Sequence, residues 1–160
     1  AYAILGFRKT RSWGLVVSLA VVLMIAVVWP TNGDFWRVLS GVHDAGRWHW
    51  HEGGNGVTAI VFDDPADARA ATVFANGLGQ SRLPRDSHPV HVTLGAVPVL
   101  LHPAPRRVAI VGLGSGATAW AASARPDTEA IVVWEVFGGQ PRLLREYAAR
   151  TGDPAADWFT

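Results

Sequence analysis

Residues 106–135 constrain the fold of this 160-residue chain more than any other segment. Their sequence is RRVAIVGLGSGATAWAASARPDTEAIVVWE, in which Gly112, Gly114 and Gly116 separate an apolar run from a stretch of helix formers. A second apolar run follows and ends at Glu135. A strand, a glycine-rich turn, a helix and a second strand with an acidic end are typical of a nucleoside-binding βαβ unit. The segment therefore predicts a parallel sheet with a nucleoside at its carboxyl edge.

Each of the three glycines, and Glu135, has an expected role in binding the nucleoside. Gly112 permits a tight turn off the strand, Gly114 lets a ligand approach the backbone, and Gly116 lets the helix pack closely on the strand. The free N–H groups at the start of the 116–124 helix are expected to face the ligand. Glu135 is able to accept two hydrogen bonds from a ribose diol. We therefore expect all four residues at one nucleoside site.

The two apolar runs predict parallel strands. Val108–Val111 and Ile131–Trp134 are continuously apolar, which is typical of parallel strands buried on both faces. The motif leaves the ligand open, because Gly112, Gly114 and Ala117 also satisfy the dinucleotide pattern. A second interpretation is that the glycines only shape a turn and that Glu135 is a solvated strand end.

The preceding segment predicts a small antiparallel sheet and a helix. Alternating Trp and His at 48–51 and the β-branched run Val57–Phe62 are typical of strands. Asn76-Gly77, which follows a strand at Ala71–Phe74, is the strongest short hairpin signal. His88–Leu101 has apolar spacing suited to a helix. Because a dinucleotide fold usually starts near its first strand, these elements favour a different ligand.

At these residues the chain resembles the polyamine aminopropyltransferases, the spermidine synthase family. The resemblance covers about residues 45–150, and its most specific part is the segment 98–116, where a His-Pro-x-Pro linker precedes the glycine loop. The chain is most similar to the membrane-fused type, described as fused transporter/spermidine synthase proteins, which also carry a Gly-Leu-Gly-Ser-Gly loop. Further matching positions are Asn76-Gly77, Gln80, Asp86, His91 and Glu135.

The resemblance implies an α/β fold in three parts. Residues 1–33 form a transmembrane segment and its flank, and residues 34–85 form a β-hairpin subdomain of spermidine synthase type. Residues 86–160 begin a Rossmann-like doubly wound domain of the S-adenosylmethionine-dependent methyltransferase type. The co-substrate is decarboxylated S-adenosylmethionine or S-adenosylmethionine, with no metal. The implied donor-binding residues are Gly112, Gly114, Ser115, Gly116, Glu135, Gln80 and His91.

The reaction implied by the resemblance moves an aminopropyl group from the sulfonium donor to an amine, in polyamine biosynthesis. An alkyl ammonium has a pKa of about 10, so a carboxylate must take its proton as attack begins. In the family this base is an Asp after the fourth parallel strand, which lies outside this sequence. We therefore expect the sequence to be an internal fragment without its catalytic residue.

Several positions differ from the family pattern. Three acids and a Tyr of the family pattern are replaced, which weakens recognition of a polycation, and a donor-contacting Gln is also missing. The substituted positions are Ser115, Val90, Val92, Phe137 and Val57. These differences leave two alternatives to aminopropyl transfer, namely an S-adenosylmethionine-dependent methyltransferase and a non-catalytic nucleoside-sensing domain attached to a transporter.

The segment from Trp13 to Trp29 predicts a transmembrane helix. It carries no charge, and its 17 residues span about 25 Å, near the short limit for a bilayer. Trp13 and Trp29 suit an aromatic belt, and Pro30 ends the helix. A buried core helix and a signal peptide are the alternatives. Ala1–Phe7 is apolar and fits the end of an earlier transmembrane helix.

We expect a bacterial inner-membrane location, with the side of the globular part unresolved. Arg8, Lys9 and Arg11 would place the N-terminal flank in the cytoplasm, whereas adenosyl donors are cytosolic. The expected partners are a nucleoside donor, an amine acceptor and the lipid bilayer, and a homodimer is left open. The net charge of +1 gives no basic excess for nucleic acid, and the chain has no cysteine.

Two further segments carry weaker predictions. His49 and His51 share one strand face and suit a metal, but the sequence offers no third ligand. Residues 139–150 predict a helix with Leu143, Leu144 and Tyr147 facing inward.

Overall fold

The computed structural model describes residues 2–29, 31–67 and 69–153. Contacts divide the chain into two units, Ala1–Asp34 and Phe35–Thr160. The first unit contains α1 (Tyr2–Val28), and α2 (Asn32–Leu39) begins at its end. The prediction that Ala1–Phe7 ends a separate earlier helix is wrong, because Tyr2 onward continues without a break into the apolar segment.

The apolar side chains of α1 from Trp13 to Val28 are exposed. Within the residues that the structure describes, no single helix has both the length and the hydropathy to cross a bilayer. The segments Trp13–Val28 and Asn32–Leu39 meet those criteria together, as a bent pair. The transmembrane role of this segment stays a prediction.

The second unit begins with an antiparallel sheet in the order β1-β2-β3-β4. The Asn76-Gly77 turn joins its last two strands with φ of 47° and 80°, the left-handed conformation that a two-residue type I′ hairpin requires. The Asn76 side chain also accepts a hydrogen bond from Val57 N at 2.9 Å. The strands are β1 (Trp48–Gly53), β2 (Gly56–Phe62), β3 (Ala71–Ala75) and β4 (Leu78–Leu83).

Both faces of this sheet are covered. On one face, Val57, Ala59 and Val61 of β2 pack with Trp36 and other apolar side chains. On the other face, Ile60 and Phe62 pack with α5 (Gln140–Thr151). The predicted inward side chains of α5, Leu143, Leu144 and Tyr147, are confirmed as buried. The hairpins and the downstream segment therefore share one core, to which Leu113 of the glycine loop also belongs.

The parallel pair consists of β5 (Arg107–Val111) and β6 (Ala130–Trp134), joined through α4 (Ala117–Ala122). The expectation that these strands are buried on both faces is wrong. Val108, Ile110, Ile131 and Val133 are half-buried, whereas the alternate side chains of both strands are exposed. Val111 is 86% exposed and Trp134 is 60% exposed, because no described element covers that face.

A glycine sets how closely α3 (Pro89–Leu101) approaches α4. A Cβ at Gly95 would lie 2.1 Å from Thr118 O, so only glycine fits at this crossing. The Arg125 guanidinium then fastens the end of α3 by donating to the carbonyl oxygens of Val99 and His102, at 2.7 and 2.6 Å. This clamp places the His-Pro-x-Pro linker directly before β5.

Candidate functional site

The glycine loop follows β5 at the carboxyl edge of the parallel pair. Gly112, Gly114 and Gly116 have φ of 88°, 54° and 80°, a region that side chains other than glycine rarely adopt. Gly112 N extends the ladder by donating to Trp134 O at 2.8 Å. The backbone therefore requires all three glycines for the turn itself.

The glycines differ in what surrounds them. A Cβ at Gly112 would meet no atom within 4 Å, so this position is open to an approaching ligand. A Cβ at Gly114 would instead lie 3.2 Å from Ser81 Oγ of β4. Gly112, rather than Gly114, presents bare backbone to open space.

Glu135, at the end of β6, is held by two backbone N–H groups. Leu113 N donates to its Oε2 at 2.6 Å, and Phe137 N donates to its Oε1 at 2.7 Å. A carboxylate has about four acceptor sites, so about two remain for a ligand. Because the side chain is only half-buried, these remaining sites have access to solvent. The loop and the acid thus form one preorganised unit.

A cleft of about 460 Å³ opens beside this acid, and we call it the Glu135 cleft. The β1–β2 hairpin supplies one wall, and residues after β6 supply the other. Asn55 Nδ2 ties the walls together by donating to Val136 O at 2.7 Å. The lining residues are His51, Glu52, Gly53, Gly54, Asn55, Glu135, Val136, Gly138, Gly139 and Arg142.

Glu146 pairs with two basic side chains that line the cleft, His51 and Arg142. Glu146 lies 3.0 Å from Arg142 Nε and 3.2 Å from His51 Nε2. Partial burial opposes ionisation, yet the hydrogen bonds and charges of Arg142 and His51 lower the pKa of Glu146. Glu146 thereby holds the two basic side chains that border the cleft.

The structure brings together only some of the predicted donor-binding residues. Gly112, Gly114, Gly116 and Glu135 form the loop-and-acid unit. Ser115 is 1% exposed, so its hydroxyl lies in the interior rather than in the cleft.

Gln80 and His91 lie apart from the Glu135 cleft. Gln80 is exposed on β4, and its amide donates to Leu78 O at 3.4 Å. His91 lies on α3, with its ring 4.2 Å from that of His88. Burial, and then the charge of His88, lower the pKa of His91. Their donor-binding roles stay predictions.

The two histidines of β1 are each engaged by α5. His49 Nε2 lies 2.8 Å from Arg150 Nη1, while His51 contacts Glu146. Burial, and then the Arg150 charge, lower the pKa of His49. Over the described ranges of the chain, no three metal-binding side chains gather.

Sequence reasoning missed Gln140, the first residue of α5. Its side chain is 3% exposed. Thr58 Oγ1 donates to its Oε1 at 2.7 Å, and its Nε2 donates to Gly114 O at 2.6 Å. The available signal was its spacing, since Gln140 shares a helix face with Leu143, Leu144 and Tyr147. A buried glutamine on that face implies hydrogen-bond partners in the core.

No protein-family model and no curated protein matches the chain. Its fold is similar to that of solved spermidine synthases. One is a spermidine synthase in complex with the transition state analogue AdoDATO, and another is spermidine synthase from Thermotoga maritima. Each aligns with 68% of this chain at 21% identity and a TM-score of 0.52. The chain spans 37% of the first structure's chain and 39% of the second. The chain therefore has a spermidine synthase-like α/β fold.

Proposed function

We propose that the chain is a spermidine synthase-like transferase domain that binds an adenosyl sulfonium donor in the Glu135 cleft. The observation that carries the proposal is the Glu135 carboxylate, oriented by Leu113 N and Phe137 N beside the open backbone of Gly112. This acid lies at the carboxyl end of a parallel strand, where open α/β sheets bind their ligands. The similar fold of a spermidine synthase bound to AdoDATO supports a donor related to decarboxylated S-adenosylmethionine.

In this proposal the cleft recognises the ribose first. The acceptor sites that remain on Glu135 bind the two ribose hydroxyls, and Gly112 allows the nucleoside to lie against the backbone. The carboxylates of Glu52 and Glu135 favour a cationic sulfonium in the cleft. Because both Glu135 oxygens are already fixed, little entropy is lost when the ligand binds.

The proposed reaction is aminopropyl transfer to an amine. The amine nitrogen forms a bond to the aminopropyl carbon that is attached to sulfur as the bond between that carbon and sulfur breaks. The electron pair stays on sulfur, so methylthioadenosine leaves as a neutral thioether. The proton of the amine passes to a carboxylate base. We further propose that the protein is tethered to a bacterial inner membrane through the apolar segment of α1.

One observation favours methyl transfer as a second candidate. The resemblance implies an acid at position 115 that contacts the cationic aminopropyl tail, but Ser115 is buried and carries no charge. A donor that keeps its carboxylate, as S-adenosylmethionine does, needs no acid there. The same ribose site serves both candidates.

Product analysis distinguishes the two reactions. The purified full-length protein, including the base expected beyond this sequence, is incubated with a linear diamine and either donor, and the products are identified by mass spectrometry. Aminopropyl transfer gives a lengthened amine and methylthioadenosine from the decarboxylated donor only. Methyl transfer gives a methylated product and S-adenosylhomocysteine from S-adenosylmethionine. Formation of neither product pair would refute both transferase assignments.

A further inference from the structure

We propose that Gln140 is a positioning residue for Glu135, the ribose-binding acid. It connects the glycine loop that holds Glu135 to the antiparallel sheet. The inference rests on the proposed nucleoside site. Gln140 links two parts of the chain that are distant in sequence, Thr58 of β2 and Gly114 of the glycine loop. Thr58 and Gln140 are 1% and 3% exposed, so water does not compete for this link.

The partners determine which way the amide points. The Gly114 carbonyl oxygen is only an acceptor, so the Gln140 NH₂ group must face it. The Gln140 oxygen then accepts from the Thr58 hydroxyl. A side chain of the same length that carries no hydrogen to donate satisfies only the Thr58 end of the link.

Leu113 connects the Gln140–Gly114 hydrogen bond to Glu135. Gly114 follows Leu113 directly, and Leu113 N holds Glu135 Oε2 at 2.6 Å. The Gly114 carbonyl belongs to the peptide after Gly114 and the Leu113 N–H to the peptide before Leu113, so fixing the carbonyl limits movement of the short loop that carries both groups. The resulting chain of contacts runs from Thr58 through Gln140 and the glycine loop to the acid.

The backbone beside Gln140 adds a second contact with the hairpin. A Cβ at Gly139 would lie 2.7 Å from His51 Cβ, so the start of α5 is pressed against β1. The β1–β2 hairpin, which forms one wall of the cleft, thus contacts the start of α5, whose first residue Gln140 bonds the glycine loop.

The substitution Gln140→Glu tests the donor role of the amide. The new side chain has nearly the same shape, but when ionised it places an oxygen against Gly114 O. At about pH 8 we expect methylthioadenosine to bind roughly tenfold more weakly than to the wild type, measured by calorimetry. At about pH 5 the introduced carboxyl group regains a proton, because burial raises its pKa, and it again donates to Gly114 O. The ratio of variant to wild-type affinity therefore recovers on acidification.

Two further variants serve as controls. Gln140→Leu loses both hydrogen bonds, and we expect weaker binding at both pH values with no recovery. Tyr147→Phe removes another buried hydrogen bond of α5, from Tyr147 Oη to Arg69 O, far along the helix from the loop. We expect it to lower the melting temperature without changing methylthioadenosine affinity. An affinity ratio for Gln140→Glu that stays flat with pH, or equals one throughout, would overturn the proposal.

Amide hydrogen exchange tests the positioning role of Gln140 independently of nucleoside binding. If the wild type binds no methylthioadenosine, the nucleoside site is refuted, but the link to Glu135 is still measurable in the free protein. We expect the Leu113 amide to exchange roughly tenfold faster in Gln140→Leu than in Tyr147→Phe. Equal exchange of that amide in the two variants would show that Gln140 does not position the acid.

Discussion

Replacing Gly95 with alanine tests how closely α3 and α4 pack. The added Cβ would lie 2.1 Å from Thr118 O, about 1.3 Å short of an ordinary contact of 3.4 Å, and 3.0 Å from Ala121 Cβ. The obstacle is helix backbone, so the two helices must separate. Overpacking of this kind costs about 1–3 kcal/mol, and the better helix propensity of alanine offsets up to about 1 kcal/mol.

We therefore expect Gly95→Ala to lower the free energy of unfolding by about 1–2 kcal/mol. Urea unfolding followed by tryptophan fluorescence measures the change. Gly14→Ala is the matched control, because Gly14 is also helical but a Cβ there meets no atom within 4 Å. Unfolding of Gly95→Ala at the wild-type urea midpoint or above would refute the described α3–α4 crossing.

Three further predictions concern contacts outside the cleft. Burial and Arg150 lower the pKa of His49 below its unfolded value, so the unfolded state binds more protons and stability falls as the pH drops below about 6.5. His49→Gln should flatten urea midpoints between about pH 7 and 5, and an unchanged slope would contradict this. Arg125→Lys should lose about 1–2 kcal/mol, because an ammonium has one nitrogen, whereas the guanidinium donates to the end of α3 through Nη1 and to the following linker through Nη2; wild-type stability would count against the clamp. Asn76→Ala should cost about 1–2 kcal/mol by straining the turn and removing the acceptor of Val57 N, whereas an unchanged melting temperature would refute that role.

The hairpins and the glycine loop were predictable because their signals are local. Asn76-Gly77 specifies its turn within two residues, and the spacing of Gly112, Gly114 and Gly116 follows from the left-handed conformations that the turn needs. The position of Glu135 is set by the length of one strand. Residues close in sequence decide each of these features.

The surroundings of the loop were not predictable, because they depend on contacts between distant segments. The sequence placed Gly114 beside a ligand, yet Ser81 occupies that side. Ser115 was expected at the donor, yet the loop turns it into the core. Gln140 gains its role only through the fold, which brings it into contact with Thr58. Thr58 lies 82 residues earlier and donates a hydrogen bond to the Gln140 amide oxygen. Likewise, a continuously apolar strand does not reveal that Val111 and Trp134 lie on an uncovered face.

Calorimetric titration with methylthioadenosine tests whether Glu135 binds the ribose of an adenosyl nucleoside. Glu135→Gln keeps the size of the side chain and one acceptor oxygen but removes one charge-assisted hydrogen bond, worth about 1.5–3 kcal/mol. The control is Glu129→Gln, at an exposed carboxylate near the start of β6. We expect Glu129→Gln to bind methylthioadenosine with wild-type affinity. Glu135→Gln should bind it about tenfold to a hundredfold more weakly at equal folded content. Wild-type affinity in Glu135→Gln, or no binding by the unmodified protein, would contradict the account.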